Sequence, residues 1–132
     1  GNIVAYDYQN GRLTEKQKIT MASPDSEVRV DAADIHVSPD GSFLYGSNRG
    51  NLNELIIYSI NKSGEMYPVG RQPTMGLTPR NFVIDPSGNF LLVANQNSNE
   101  IIIFRRDNKT GLLTPADKSI KINQPVCLKF CN

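Results

Sequence analysis

The sequence predicts an all-β fold of repeated, four-stranded antiparallel sheets, and three observations predict it. Turn-forming residues are dense, with 10 Gly, 8 Pro and 14 Asn among 132 residues, which leaves room for short strands but not for long uninterrupted helices. A ten-residue pattern recurs: Pro39-Asp40-Gly41-Ser42-Phe43-Leu44-Tyr45-Gly46-Ser47-Asn48 and Pro86-Ser87-Gly88-Asn89-Phe90-Leu91-Leu92-Val93-Ala94-Asn95 share five of ten residues at a spacing of 47. Landmarks downstream hold the register, since Leu55-Ile56-Ile57-Tyr58 answers to Ile101-Ile102-Ile103-Phe104 and Lys62-Ser63-Gly64 to Lys109-Thr110-Gly111. Four strands in a repeat of about 45 residues is the pattern of a propeller blade. The predicted architecture is therefore a partial β-propeller of about two and a half blades.

Taken in order, residues 1–32 form a half blade. Ile3-Val4-Ala5-Tyr6 aligns with the third strand of the later repeats, and Gly11-Arg12-Leu13-Thr14 echoes Gly111-Leu112-Leu113-Thr114. Residues 33–78 and 79–122 are full blades. In the second of these the strands are expected at 80–85, 89–95, 100–107 and 112–122, where Ile, Val, Phe and Leu concentrate. Pro86-Ser87-Gly88 supplies a tight turn between the first two, and Asp107 to Gly111 a longer hairpin loop with Gly at the positive-φ position. Pro125-Val126-Cys127-Leu128-Lys129-Phe130 falls one period after Pro79 to Ile84 and is expected to be a closing strand over 125–130.

Composition excludes several classes. A net charge of +1 gives no electrostatic reason for a nucleic-acid or membrane partner. Apolar runs such as Leu55 to Ile57 are far too short to span a bilayer, and Gly1-Asn2-Ile3-Val4 does not read as a signal peptide. The absence of Trp excludes the Trp-Asp repeats of one propeller class, and the absence of a Gly-Gly pair argues against another. Cys127 and Cys131 stand too far apart in an extended strand for a disulfide, and with one distant His they make no zinc site. They are expected to be small buried hydrophobes in a reducing, cytoplasmic setting.

The stretch Ala33-Asp34-Ile35-His36-Val37-Ser38-Pro39-Asp40-Gly41 through Gly50 resembles the lactonase family of seven-bladed propellers. That family includes cycloisomerase-type 6-phosphogluconolactonases and fungal 3-carboxymuconate cyclases. Pro79-Arg80-Asn81-Phe82-Val83-Ile84-Asp85-Pro86-Ser87-Gly88 with Leu92 to Gln96 is similar to the family's next blade, and Pro125 to Phe130 to its closing strand. The resemblance implies that the chain is the C-terminal portion of a longer, seven-bladed parent. It further implies a Glu and an Arg-His pair on earlier blades, neither of which lies in this chain.

Four residues are candidates for chemistry. Arg49 and Gln96 directly follow Asn48 and Asn95, at the loop leaving the second strand of each blade, and an Arg there can hold a phosphate or carboxylate. The resemblance places Arg49 among the family's active-site groups. His36, the only histidine, shares one strand face with Asp34 and Ser38 by the period of two; it suits a general base for water or a donor to the substrate. Arg80 follows Pro79 at the start of the next inner strand and would complete a cationic pocket. The expected assignment is His36 and Arg49 catalytic, Arg80 and Gln96 substrate-binding. Asp40 and Asp85 are expected to cap the Pro-containing turns, and Lys16, Lys18, Lys118 and Lys121 to be solvated edge charges. There is no Gly-rich phosphate loop, Ser elbow or His-rich spacing, so no cofactor and no metal are expected.

The function implied is 6-phosphogluconolactonase-like hydrolysis of a small anionic sugar lactone by the parent. The alternatives are a muconate-type cycloisomerase and a non-catalytic propeller scaffold. The isolated chain is expected to be inactive, and its partners to be the remaining blades or further copies of itself.

Overall fold

The computed structural model describes residues 1–23 and 29–131. Ten strands form three antiparallel sheets. The first pairs β1 (Asn2–Gln9) with β2 (Arg12–Thr20). The second runs in the order β3 (Ala32–Val37), β4 (Phe43–Asn48), β5 (Glu54–Ile60), β6 (Met66–Pro73). The third repeats it with β7 (Pro79–Ile84), β8 (Phe90–Asn95), β9 (Glu100–Arg106) and β10 (Leu113–Lys121). The only helical piece among the described residues is a single 3₁₀ turn at Gln96–Ser98. The expected all-β partial propeller is what the chain forms, with each strand of the second full repeat within two residues of its expected bounds.

The second sheet is the middle layer, and its alternation explains the packing. Along β4 and β5, Phe43, Tyr45, Leu55 and Ile57 point to the third sheet, where they meet Phe82, Leu91, Val93, Ile102, Phe104 and Leu113. Leu44, Ile56 and Tyr58 point the other way, onto Ile3 and Met21. Both faces are covered, so β4 is buried along its whole length and β5 over its first five residues, and the run of apolar residues is continuous rather than alternating. At Gly46 a Cβ would come within 3.2 Å of the Met21 side chain, so the small residue admits that methionine.

The second and third sheets are locked by one guanidinium. Arg106, whose side chain is fully buried, donates from Nη2 to Asp40 Oδ2 (2.8 Å), from Nε to the Tyr45 hydroxyl (2.8 Å) and from Nη1 to Gly88 O (3.0 Å) and Asn108 Oδ1 (2.6 Å). It also lies over the Phe43 and Tyr45 rings at 5.4 and 5.9 Å. Tyr45 in turn donates to Gly111 O at 2.7 Å. Gly111 has φ +73°, and a Cβ there would strike the Phe43 ring at 2.3 Å, so only glycine closes that turn. Between the first and second sheets, the Gln17 amide spans Met66, accepting from its N–H at 2.7 Å and donating to its carbonyl at 2.8 Å.

The inner strands stand face to side rather than edge to edge. Asp34 Oδ2 accepts from Phe82 N–H (3.1 Å) and Asn81 Nδ2 (2.6 Å), joining β3 to β7. One period later, Asn81 Oδ1 accepts from Leu128 N–H at 2.6 Å. Residues 125–130 therefore stand to β7 as β7 stands to β3. The expected closing strand joins no ladder among the described residues: it takes the place of an inner strand next to β7, and no described strand stands to it as β4 stands to β3 or β8 to β7. For the same reason Cys127 and Cys131 are exposed, not buried as expected. The first sheet carries no counterparts of β3 and β4 among the described residues, and a cleft of about 250 Å³ opens beside β1, lined by Ile3, Met21, Ala33, Ile35 and Gly46. The apolar side of β3 is left uncovered there, with Ile35 and Val37 about half exposed.

Asp40 supplies a pH test of the lock. Partial burial opposes its charged form, but hydrogen bonds from Ser38, Ser42 N–H and Arg106, with the Arg106 charge, outweigh this and hold its pKa at about 2. The folded value lies below the ordinary one, so the stabilisation is complete above about pH 4 and is lost as pH falls through about 2. Urea midpoints of the wild type and of Asp40→Asn are expected to differ at pH 6 and to converge toward pH 2.

Candidate functional site

The sheet ladders place three of the four candidate residues at one end. Asn48, which precedes Arg49, pairs with Ala32 at the start of β3, and Asn95, which precedes Gln96, pairs with Pro79 at the start of β7. Arg80 is the next residue. Because β3 and β7 lie in the same register side by side, all three belong to the end where inner strands begin. Both inner strands also carry a register shift there, between Ala32 and Ile35 and between Pro79 and Asn81. Arg80 sits inside the second shift and is exposed; a bulge of this kind re-aims a side chain away from the regular pleat.

His36 lies elsewhere. It is four residues into β3 from Ala32, roughly 13 Å along the strand. A strand running along a propeller axis turns its faces to neighbouring sheets, so the polar face shared with Asp34 meets the third sheet. The His36 ring stands edge-on to Phe82 at 4.8 Å between centroids, and Nε2 lies 3.1 Å from Asp34 Oδ2. Asp34 is thus a hub, since its other oxygen accepts from Ile35 N–H at 2.9 Å. A carboxylate only accepts, so Nε2 is the donor in this contact. Among the described residues no hydrogen bond links His36, Arg49, Arg80 and Gln96 to one another.

Arg49 is held from below by a group of residues that sequence reasoning missed. Its N–H donates to Asp31 O at 2.8 Å, and its Nη2 to Asp31 Oδ1 at 3.1 Å. Asn48, fully buried, accepts from Asp31 N–H and Gly50 N–H at 2.9 Å each and donates to Glu54 Oε1 at 3.3 Å. Glu54 also takes Arg71 Nη1 at 2.6 Å. Gly50 is required because a Cβ would lie 2.0 Å from Arg29 O. Among the described residues the Arg49 Nε is buried without a partner.

A second device at this end was legible but unread. Asn51-Leu52-Asn53-Glu54 recurs as Asn97-Ser98-Asn99-Glu100. Asn53 Oδ1 accepts from Thr78 N–H (2.7 Å), and Asn99 Oδ1 from Gln124 N–H (3.0 Å). All four have positive φ, and Thr78 and Gln124 stand directly before Pro79 and Pro125. Asn tolerates this region, while a β-branched Thr does so only under constraint. β7 and the segment after Gln124 thus each enter through a pinned, left-handed residue. Of the expected minor roles, Asp40 and Asp85 do accept from turn N–H groups, Ser42 for Asp40 and Ser87 and Phe90 for Asp85. Lys16 pairs with Asp7 and Lys121 with Glu100.

Comparison with known proteins bears on these residues. Residues 1–130 match the family described as Lactonase, 7-bladed beta-propeller. The chain belongs to this lactonase family. It is 50% identical over 93% of its length to a 6-phosphogluconolactonase of Formosa agariphila, and 34% identical over 97% to that of Bacillus subtilis. Among solved structures it matches a periplasmic gluconolactonase of Pseudomonas aeruginosa over its whole length, with a TM-score of 0.94 and 34% identity. It also matches a candidate 6-phosphogluconolactonase of Bacteroides fragilis, with a TM-score of 0.92 and 43% identity. It spans only 35–37% of the length of these relatives, which accords with two and a half blades of seven.

The Asp34 hub carries a stability prediction for this member of the lactonase family. Asp34→Ala strands the buried Phe82 N–H and is expected to cost about 3 kcal/mol. Asp34→Asn keeps one acceptor oxygen and should cost roughly half of that. Urea unfolding of the two variants checks the order.

Proposed function

We infer that this chain supplies two and a half blades of a seven-bladed sugar lactonase of the 6-phosphogluconolactonase type, which opens 6-phosphoglucono-lactone to 6-phosphogluconate. The observation that carries this is the convergence of Arg49, Arg80 and Gln96 on one end of adjacent blades. Membership of the lactonase family and the printed names of its relatives support the substrate class.

Hydrolysis adds water to the lactone carbonyl, forms a tetrahedral oxyanion and breaks the ring C–O bond, leaving a carboxylate and a hydroxyl. Arg49 and Arg80 hold the phosphate by charge-assisted hydrogen bonds, and Gln96 donates to a sugar oxygen. His36, deeper along β3, takes the proton of the attacking water on Nδ1 while Asp34 fixes its tautomer, and returns that proton to the departing ring oxygen, the new carboxylic acid losing its own proton to solvent. Phosphate and lactone carbonyl lie at opposite ends of the substrate, and the long Arg side chains span the remaining separation. No metal or cofactor enters this scheme. We place the protein in the cytoplasm, in keeping with a phosphorylated substrate and two unpaired, exposed cysteines. No helix among the described residues is long and apolar enough to cross a membrane.

In the complete propeller, Arg49→Ala is expected to lower kcat/KM for the phosphorylated lactone at least about 100-fold; wild-type turnover would overturn the role of Arg49. This chain alone, without the other blades, should give no hydrolysis above the spontaneous rate. Its uncovered apolar residues, Ile35 and Val37 among them, should make it self-associate. Sedimentation at micromolar concentration is expected to show species heavier than 14.6 kDa, and a clean monomer would refute this.

A further inference from the structure

We propose that Asp31 is a positioning residue for Arg49, presetting its guanidinium to receive the anionic group of the substrate; this rests on the lactonase function above and adds a residue to it.

The tether is double. The Asp31 carbonyl takes the Arg49 N–H at 2.8 Å, and one carboxylate oxygen takes Nη2 at 3.1 Å. The backbone bond fixes where Arg49 leaves the sheet, and the carboxylate fixes which way its planar fork turns. Asp31 is itself immobilised, because its N–H is held by the buried Asn48 side chain, which is held by Glu54, which is held by Arg71. Arg71 closes the chain by donating from Nη2 to Met21 O at 2.7 Å. Four side chains on four elements thus converge on one orientation.

The next blade shows that the fold does not need the ion pair. One period on, Gln96 N–H donates to Thr78 O at 3.0 Å, the same backbone bond. Thr78 stands where Asp31 stood and Gln96 where Arg49 stood. Where the guanidinium is present its partner is a carboxylate, and where it is replaced by a neutral amide the partner is neutral too. The backbone bond is common to both blades and builds the blade end; the carboxylate is added only beneath the arginine. The contact is made by one oxygen to one nitrogen, and among the described residues no acceptor takes the other terminal nitrogen, Nη1, which leaves donors for an incoming phosphate. Orienting a long side chain in advance removes part of the entropy lost on binding.

The test uses the complete propeller that carries this chain, with 6-phosphoglucono-lactone as substrate and kcat and KM measured separately. Asp31→Thr removes the carboxylate but keeps the backbone carbonyl that takes the Arg49 N–H, and Asp31, unlike Thr78, has no left-handed backbone that a β-branched residue would strain. The variant is expected to raise KM about tenfold with kcat within about twofold, the signature of lost binding rather than lost chemistry. Asp31→Asn keeps an oxygen for Nη2 and should hold KM within about threefold of wild type. A wild-type KM in Asp31→Thr, or equal damage from Asp31→Asn and Asp31→Thr, would overturn the positioning role. A fall in kcat and urea midpoint with KM unchanged would overturn it as well, by making Asp31 structural. Wild-type kcat/KM in Arg49→Ala would instead overturn the lactonase site on which the proposal rests.

Discussion

A single buried cation, the guanidinium of Arg106, holds the two complete sheets in one arrangement. It gathers the β3–β4 turn through Asp40, strand β4 through Tyr45, the β7–β8 turn through Gly88 and the β9–β10 turn through Asn108. Apolar packing between the sheets is strong but non-directional. The Phe43, Leu55 and Phe104 side chains would tolerate some sliding of one sheet over the other, whereas four hydrogen bonds from a planar fork would not. A buried charge is costly unless paired, and here it is paired, hydrogen-bonded and covered by two aromatic rings. The register between blades, and with it the alignment of their ends, follows from that constraint.

Register is what turns a stack of sheets into a site. Because β3 and β7 start at the same level, the residues after Asn48 and Asn95 come to one end, together with the residue after Pro79. The strands contribute most of their faces to neighbouring sheets, so the groups that could hold an anion come from the loops after β4 and β8 and from the bulged start of β7. The left-handed Thr78 and Gln124, each pinned by an asparagine, fix how the chain crosses from the outer strand of one blade to the inner strand of the next. His36 belongs to a different level. Its partly exposed ring stands edge-on to Phe82 of the next blade and is oriented by Asp34, which also joins the inner strands.

Much of this was legible in the residues. Pro39-Asp40-Gly41 and Pro86-Ser87-Gly88 announce turns by their backbone preferences, and the apolar runs between them announce strands. The spacing of 47 then places Arg49 and Gln96 in equivalent positions. The partners of those residues were not legible. Asp31 is 18 positions before Arg49 and Asp40 is 66 before Arg106, and no local preference records such a contact. The strand expected at 125–130 shows the same limit: Val126 to Phe130 has strand composition, but a ladder needs a partner, and no described strand stands to this segment as β8 stands to β7. The exposure of Cys127 and Cys131 follows from that placement and not from their chemistry.

The sequence by itself determined the class of fold, the repeat, the strand bounds of the second full blade and the end of the sheets at which Arg49, Arg80 and Gln96 gather. These depend on short-range preferences and on a period, both of which are written along the chain. Only the tertiary structure decided that Arg106 is the lock, that Asp31 and Asn48 stand beneath Arg49, and that the His36 ring packs edge-on against Phe82 of the neighbouring blade. Those facts depend on which sheet faces which and at what height. That geometry is set by packing between segments distant in the chain, where one residue type can be a solvated charge or a buried pin according to what lies opposite.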